Sequence, residues 1–323
     1  MRIVLSVLLL LLCQLSASGE EPRLAFDGGA RMVATRLPLD AGDPARTRVG
    51  ALTYLGGIRL TSPQIAFGGF SSIQVAGDRF TLLSDGGHIV HFRMGEDFRP
   101  GDVQFGALAA GPGTGWRKSD RDSESQTTNP ATGRVWIGFE QTNAIWRFDG
   151  FGRAETHAQP KAMAEWSANG GPEAMVRRAD GSFLVISETT RPPGGKGRVG
   201  LIFGGDPTDP KAAVQRFTYQ PPEGYDPTDM AELPDGRLLV LNRRVSIADM
   251  FTGKLVLIER GAVRPGAAVA GREIATLASP LLHDNFEALA VTQEKGATIL
   301  WIASDDNREW FEKSLLLKFR LEL

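Results

Sequence analysis

The chain has 323 residues, with 36 Lys+Arg against 38 Asp+Glu and a formal net charge of −2. No basic run or Lys/Arg stripe interrupts that balance, which argues against nucleic acid as a partner. Hydrophobic residues make up 42%, enough for a large core in one all-β unit, and 38 glycines point to many turns.

The first segment, "MRIVLSVLLLLLCQLSASGEEP", pairs Arg2 with an apolar run from Ile3 to Leu12 and small residues at Ser16–Ser18. This is the pattern of a secretory signal peptide over residues 1–18, and it predicts export to a periplasm or the exterior. The run is too short to span a bilayer, and no later stretch is long enough for a transmembrane helix. The one cysteine, Cys13, lies inside this segment, and Leu12 precedes it where an acylation site takes a small residue. The processed chain therefore carries no disulfide.

Residues 24–323 read as a single domain of repeats. Carboxylates at Glu124, Glu173, Asp229 and Glu287 recur at intervals of roughly 50 to 60 residues, and Ser72 takes the same place one interval earlier. Each unit continues alike. A short strand leads to a turn ("AGD", "PATGR", "ADGS", "PDGR", "EKGA"), and these are hairpin signals. An apolar second strand follows: "FTLLSD", "VWIGFE", "FLVISE", "LLVLNR", "ILWIASD". A third comes next, and "VQFGALA", "AETHAQ", "AVQRFTY" and "REIATLA" supply a fourth in most units. The fold class is therefore all-β, a β-propeller of four-stranded antiparallel blades with five repeats. The last unit ends at Leu323 after its third strand. Spare strands in "RMVATRLPL" and "ALTYLGGIRLT" can close the ring or form a degenerate sixth blade.

In a propeller the first strand of each blade lines the central channel, so the repeated position becomes a ring: Ser72, Glu124, Glu173, Asp229 and Glu287. The second strands end at Asp85, Glu140, Glu188, Arg243 and Asp305 close by. Clustered carboxylates repel, and hard cations take oxygen ligands, so a divalent cation, calcium first, is the expected cofactor. Four histidines and no cysteine after processing supply a nitrogen/sulfur site poorly. Candidate metal ligands are Glu124, Glu173, Asp229, Asn285, Glu287, Asp305, Asp306 and Asn307. Glu173, Glu287 and Arg243 are the candidate catalytic residues, Arg243 to neutralise an anionic substrate or, alternatively, to pair with Glu232 or Asp229. His88 and His91 read as surface or turn residues.

The series "GGFSSI", "LLSDGG", "DSES", "NGGPEAM", "DNFEAL" and "ASDDN", spread over roughly residues 50–323, resembles the family described as esterase-like activity of phytase. Ala174 and Ala288 stand where that family's motifs carry glycine after the glutamate, Met175 where leucine stands, and Ser72 replaces a glycine. The resemblance implies an exported propeller hydrolase of a small-molecule ester or phosphoester. A cation-activated water is the natural route where no Ser or Cys nucleophile is in evidence. A gluconolactonase-like lactone hydrolase is the enzyme alternative. A binding or scaffold propeller with structural calcium is the non-enzyme one.

Overall fold

The computed structural model describes residues 31–113 and 118–323; the expected signal peptide and Cys13 lie outside them. The chain opens with β1 (Val33–Leu37), β2 (Arg48–Val49) and β3 (Leu52–Thr61). Blade 1 holds β4 (Phe70–Ala76), β5 (Arg79–Ser84), β6 (His88–Met94) and β7 (Pro100–Ala107). Blade 2 holds β8 (Ser123–Thr128), β9 (Arg134–Phe139), β10 (Ala144–Asp149) and β11 (Arg153–Ala158). Blade 3 holds β12 (Pro172–Arg177), β13 (Phe183–Ser187), β14 (Arg198–Phe203) and β15 (Val214–Gln220). Blade 4 holds β16 (Asp226–Glu232), β17 (Leu238–Ser246) and β18 (Met250–Ile258). After these, β19 (Ala268–Ala270) crosses to pair in parallel with β15, and β20 (Arg272–Leu277) completes blade 4. Blade 5 holds β21 (Phe286–Glu294), β22 (Ala297–Ser304) and β23 (Leu315–Leu321).

The fourth strand of blade 5 is β3, antiparallel to β23 from Leu315↔Arg59 to Leu321↔Leu52, and β1 pairs on its outer side. The N-terminal strands thus close the ring, and the number of blades is five, not six. Closure by hydrogen bonds between the two ends of the chain removes the edge that β23 would otherwise expose.

The first hairpin of every blade turns on a glycine with positive φ: Gly77, Gly133, Gly181, Gly236 and Gly296. A side chain is strained in that conformation, so the glycine spacing sets the blade spacing. The second strands read as continuous apolar runs because neighbouring blades cover both their faces; β13 is buried at all five residues. Outer strands such as β7 and β11 hold no buried residue.

The core is therefore a set of five layers between adjacent blades. Phe80 and Trp301 meet edge-on between blades 1 and 5, with centroids 4.8 Å apart. Leu83 and Ile137 belong to the layer between blades 1 and 2, and Trp136 meets Phe183 between blades 2 and 3. Ile186 and Val240 belong to the layer between blades 3 and 4, and Leu241 and Ile302 to that between blades 4 and 5. Among the described residues no helix is long and apolar enough to cross a membrane.

Candidate functional site: an acidic funnel

All five innermost strands carry a β-bulge near their start, at the same blade end. The register skips Ser71 in β4, Glu124 in β8, Glu173 in β12, Thr228 in β16 and Glu287 in β21. A bulge leaves one residue unpaired and re-aims its side chain. Three carboxylates and two hydroxyls thus share one ring at this mouth.

The ring differs from the sequence expectation at two places: Ser71 and Thr228 occupy it, not Ser72 and Asp229. Successive strand residues face opposite sides, so a slip of one moves Asp229 out of the channel. Its buried carboxylate lies between blades 4 and 5, accepting the N–H of Leu289 at 2.6 Å and of Met230 at 2.7 Å. Burial pushes its pKa well above the usual carboxylate range. The two hydroxyls serve the scaffold. Ser71 Oγ donates to the carbonyl of Ser123 at 2.5 Å, and Thr228 Oγ1 to that of Phe286 at 3.2 Å. Each thereby braces the residue just before a ring glutamate of the next blade.

A second circle comprises Asp85, Glu140, Glu188 and Asp305, each just beyond the end of its second strand, and Arg243, which lies within the longer β17. Arg243 joins three blades. It donates to Glu188 Oε1 at 2.7 Å, to Asn285 Oδ1 at 2.8 Å, and to Glu287 Oε1. Its partners are therefore Glu188 and Glu287, not Glu232 or Asp229; Glu232 pairs with Arg178. Burial opposes the Arg243 charge, and Glu287, Glu188 and Glu173 together more than offset it, raising its pKa. Asn285, fully buried, donates to Glu287 Oε1 at 3.0 Å. Burial raises the Glu287 pKa, and Arg243 moderates the rise.

The run Asp305-Asp306-Asn307 divides. Asp305 is buried beside Glu287 and Asp85, and burial with those charges pushes its pKa well up. Asp306 turns away to the blade 5–blade 1 junction, accepting from Gly69 N–H at 2.9 Å, Arg308 N–H at 3.1 Å and Ser314 Oγ at 2.5 Å. Asn307 takes a positive φ of 42° and donates to Glu312 at 2.8 Å. Burial raises Glu312 to about 7. His88 is buried at the start of β6 rather than on the surface, and His91 bonds Thr81 at 2.8 Å.

Blades 2 and 3 concentrate the negative charge. Asp122, Glu124 and Glu140 bring one oxygen each within 4.8 Å of one another, and so do Glu140, Glu173 and Glu188. Glu140 belongs to both groups and also accepts from the N–H groups of Gly170 and Gly171. Burial, with Asp122 nearby, raises Glu140 to about 7 against the pull of those amides. Burial, then Glu188 and Glu140, pushes Glu173 well above the carboxylate range. Glu173 is 8% exposed; no described residue donates to its carboxylate, whose oxygens keep a little contact with solvent. A largely buried carboxylate without a protein donor, packed against two others, is stabilised by a proton or a cation. An all-oxygen donor set of this kind fits a hard divalent cation. Asp122 and Glu312 were not among the residues singled out from sequence; the spacing of Asp122 two before Glu124 in a strand start was the available signal.

Fold and site together define a five-bladed propeller with an oxygen-donor funnel at one mouth. The family model described as "Phytase-like: Esterase-like activity of phytase" matches residues 65–308, and the chain belongs to that family. No curated protein matches. Among solved structures, the chain is similar to a PQQ-bound aldose sugar dehydrogenase from Streptomyces coelicolor (12% identity, TM-score 0.48, 91% of this chain and 99% of that one). A candidate gluconolactonase (12%, TM-score 0.41, 90% and 100%) and the glutaminyl cyclase of Myxococcus xanthus (10%, TM-score 0.42, 80% and 92%) are also similar.

Proposed function

We propose that this protein is an exported hydrolase that cleaves a small-molecule ester or phosphoester at the funnel mouth with the help of a divalent cation, calcium first. One observation carries the reading: two carboxylate groups share Glu140, and one of them contains the buried, donorless Glu173. Glu140, Glu173 and Glu188 are the residues that would hold the cation, and Asp122, Glu124 and Glu140 form a second group of the same kind. A bound divalent cation lowers the pKa of its water and polarises the oxygen of a carbonyl or phosphoryl group.

The chain's own residues supply the rest. Arg243 and Asn285 fix Glu287 through Oε1, and Oε2 accepts from no donor among the described residues. A carboxylate raised by burial is a better base than an exposed one, so Glu287 is the group to take a proton from water. Arg243 is a positioning residue in this scheme, since its guanidinium is committed to Glu188, Asn285 and Glu287. A scaffold reading stands beside this one on a separate observation: Glu140 already ties blade 2 to the Gly170–Gly171 backbone of blade 3.

The test uses chelator-treated protein with added Ca²⁺, Mg²⁺ or Mn²⁺, read by thermal melting and by hydrolysis of p-nitrophenyl acetate, p-nitrophenyl phosphate and a gluconolactone. A cation-dependent rise in Tm together with turnover is expected. Glu140→Gln should lower kcat/KM by about 100-fold or more, at least the upper end of what losing an outer-shell partner costs a metal site. A rise in Tm without turnover favours the scaffold, and no response to any cation sinks the metal reading.

A further inference from the structure

Between β18 and β20 the chain leaves blade 4 and lays β19 on the outer edge of blade 3. Two turns make that excursion. Ala262 N–H donates to the Glu259 carbonyl and Ala267 N–H to that of Arg264, each at 3.1 Å. Gly261 and Gly266 stand third in these turns, with φ of 78° and 73°, and Pro265 stands second in the later one. This is the type II pattern, whose third position needs a positive φ. The turns border a hollow of about 410 Å³ on the outside of the ring, lined by Arg260 and Arg264 and otherwise by glycine, alanine and Val269. Among the described residues neither guanidinium has a hydrogen-bond or ion-pair partner. The nearby acids are already taken. Arg260 lies across Gly236, where a Cβ would stand 3.2 Å from its Cδ, and it also borders a second hollow that carries Asp180, Glu232 and Asp235. Asp180 and Glu232 pair with Arg178, and Asp235 pairs with Arg237, on which Glu259 also acts.

The strand edge adds neutral donors. Thr218 N–H donates to the Ala267 carbonyl at 2.8 Å, and the register pairs Thr218 with Ala268 and Gln220 with Ala270. In a parallel ladder of that register Ala268 and Ala270 direct their own N–H groups to the free side. β19 is the last strand of its sheet, so no further strand takes them. Two uncommitted guanidiniums beside such an edge, around a hollow with no carboxylate in its walls, suit a compact oxyanion of two charges. We propose that this hollow between blades 3 and 4 binds the phosphate or sulfate group of a small molecule. Its volume falls within the range of about 300–1,000 Å³ usual for small-ligand sites, and a bare anion would leave most of it empty, so the anion carries an organic group. A strand-adding peptide is the other occupant that an edge admits, but β19 has three residues and offers few ladder bonds. The site is separate from the funnel, whose ring stands on the innermost strands.

The test uses the full chain, chelator-treated and without added cation, so that no metal in the funnel holds an anion. Glycerol 1-phosphate, inorganic phosphate, inorganic sulfate and acetate are titrated by calorimetry. Saturable binding of glycerol 1-phosphate, and weaker binding of phosphate and sulfate, are expected, all weakening as sodium chloride is raised. Acetate, with one charge, should bind at least about 10-fold more weakly than phosphate, the worth of one hydrogen bond to a charged group. The combined Arg260→Ala and Arg264→Ala variant should weaken glycerol 1-phosphate by at least about 10-fold on the same ground. Both residues are exposed on a loop, so its melting temperature should be unchanged. Arg153→Ala, which removes an exposed arginine from β11, should keep the affinity. Failure of all three dianions to saturate in the millimolar range overturns the proposal. Binding that survives the double variant, or that falls equally in Arg153→Ala, overturns it too. An oligoglutamate peptide that binds where phosphate and sulfate do not assigns the edge of β19 to a peptide and likewise overturns it. Turnover at the funnel is not read, so the hydrolase reading stands or falls by its own test.

Discussion

Arg243 is the residue on which the funnel's charge balance turns. Removing one partner of a buried ion pair leaves the others uncompensated, so Arg243→Ala should cost about 3–5 kcal/mol of stability in urea unfolding. Glu188 and Glu287 would be left facing each other without a cation between them. Arg243→Lys cannot reproduce the forked contacts to Glu188, Asn285 and Glu287, and should recover only part of that loss. Glu140 sets a pH dependence. Its folded pKa of about 7 lies above the ordinary 4.5, so the folded state binds the extra proton between those values. Stability therefore falls as pH rises through that window, and Glu312 acts in the same direction. Glu322, held down to about 2 by Arg320, Thr53 and Arg48, loses its contribution only on acidification, below the window. The cation-free protein should melt lower at pH 8 than at pH 5, with Glu140→Gln narrowing the gap and calcium restoring stability at pH 8.

At the scale of the strand, the bulge decides which residue serves the funnel. Glu124, Glu173 and Glu287 were legible because each is the first acid inside its strand, and a repeat aligned on charge finds them. Asp229 was misplaced for the same reason. Thr228 is the bulged residue of β16, but a neutral hydroxyl gives no charge to align, and the adjacent acid took its place. Asp229→Ala should leave the Leu289 and Met230 amides without their acceptor and cost about 2–3 kcal/mol in urea unfolding. It should leave the cation-induced rise in Tm intact, whereas Glu173→Gln should abolish that rise. Asp306 and Asn307 were illegible in another way. Positive φ at Asn307 and Arg308 turns the loop, so neighbours in sequence point to different partners.

For the whole molecule, the ring is closed by one strand. β3 covers β23, whose first five residues are buried, and Thr53 bonds Glu322 at 2.8 Å across the junction. Removing residues 1–61 should expose β23 as an apolar edge and give soluble oligomers or aggregates by size-exclusion chromatography with light scattering. The five interblade layers explain why the repeat was readable without coordinates. Every blade must bury both faces of its second strand and turn its first hairpin at a glycine, and both demands leave periodic marks.

The sequence by itself determined the propeller, its closure from the N-terminal side and the acidic character of one mouth, because these follow from local rules repeated five times. Tertiary structure alone decided the membership of the site. Arg243 lies 55 residues from Glu188 and 44 from Glu287, and the three meet only when blades 3, 4 and 5 are packed side by side. Glu140 reaches Glu173 in the same way, between blades 2 and 3. Coulomb interactions and burial act through space, and strand register sets the face from which each side chain meets them.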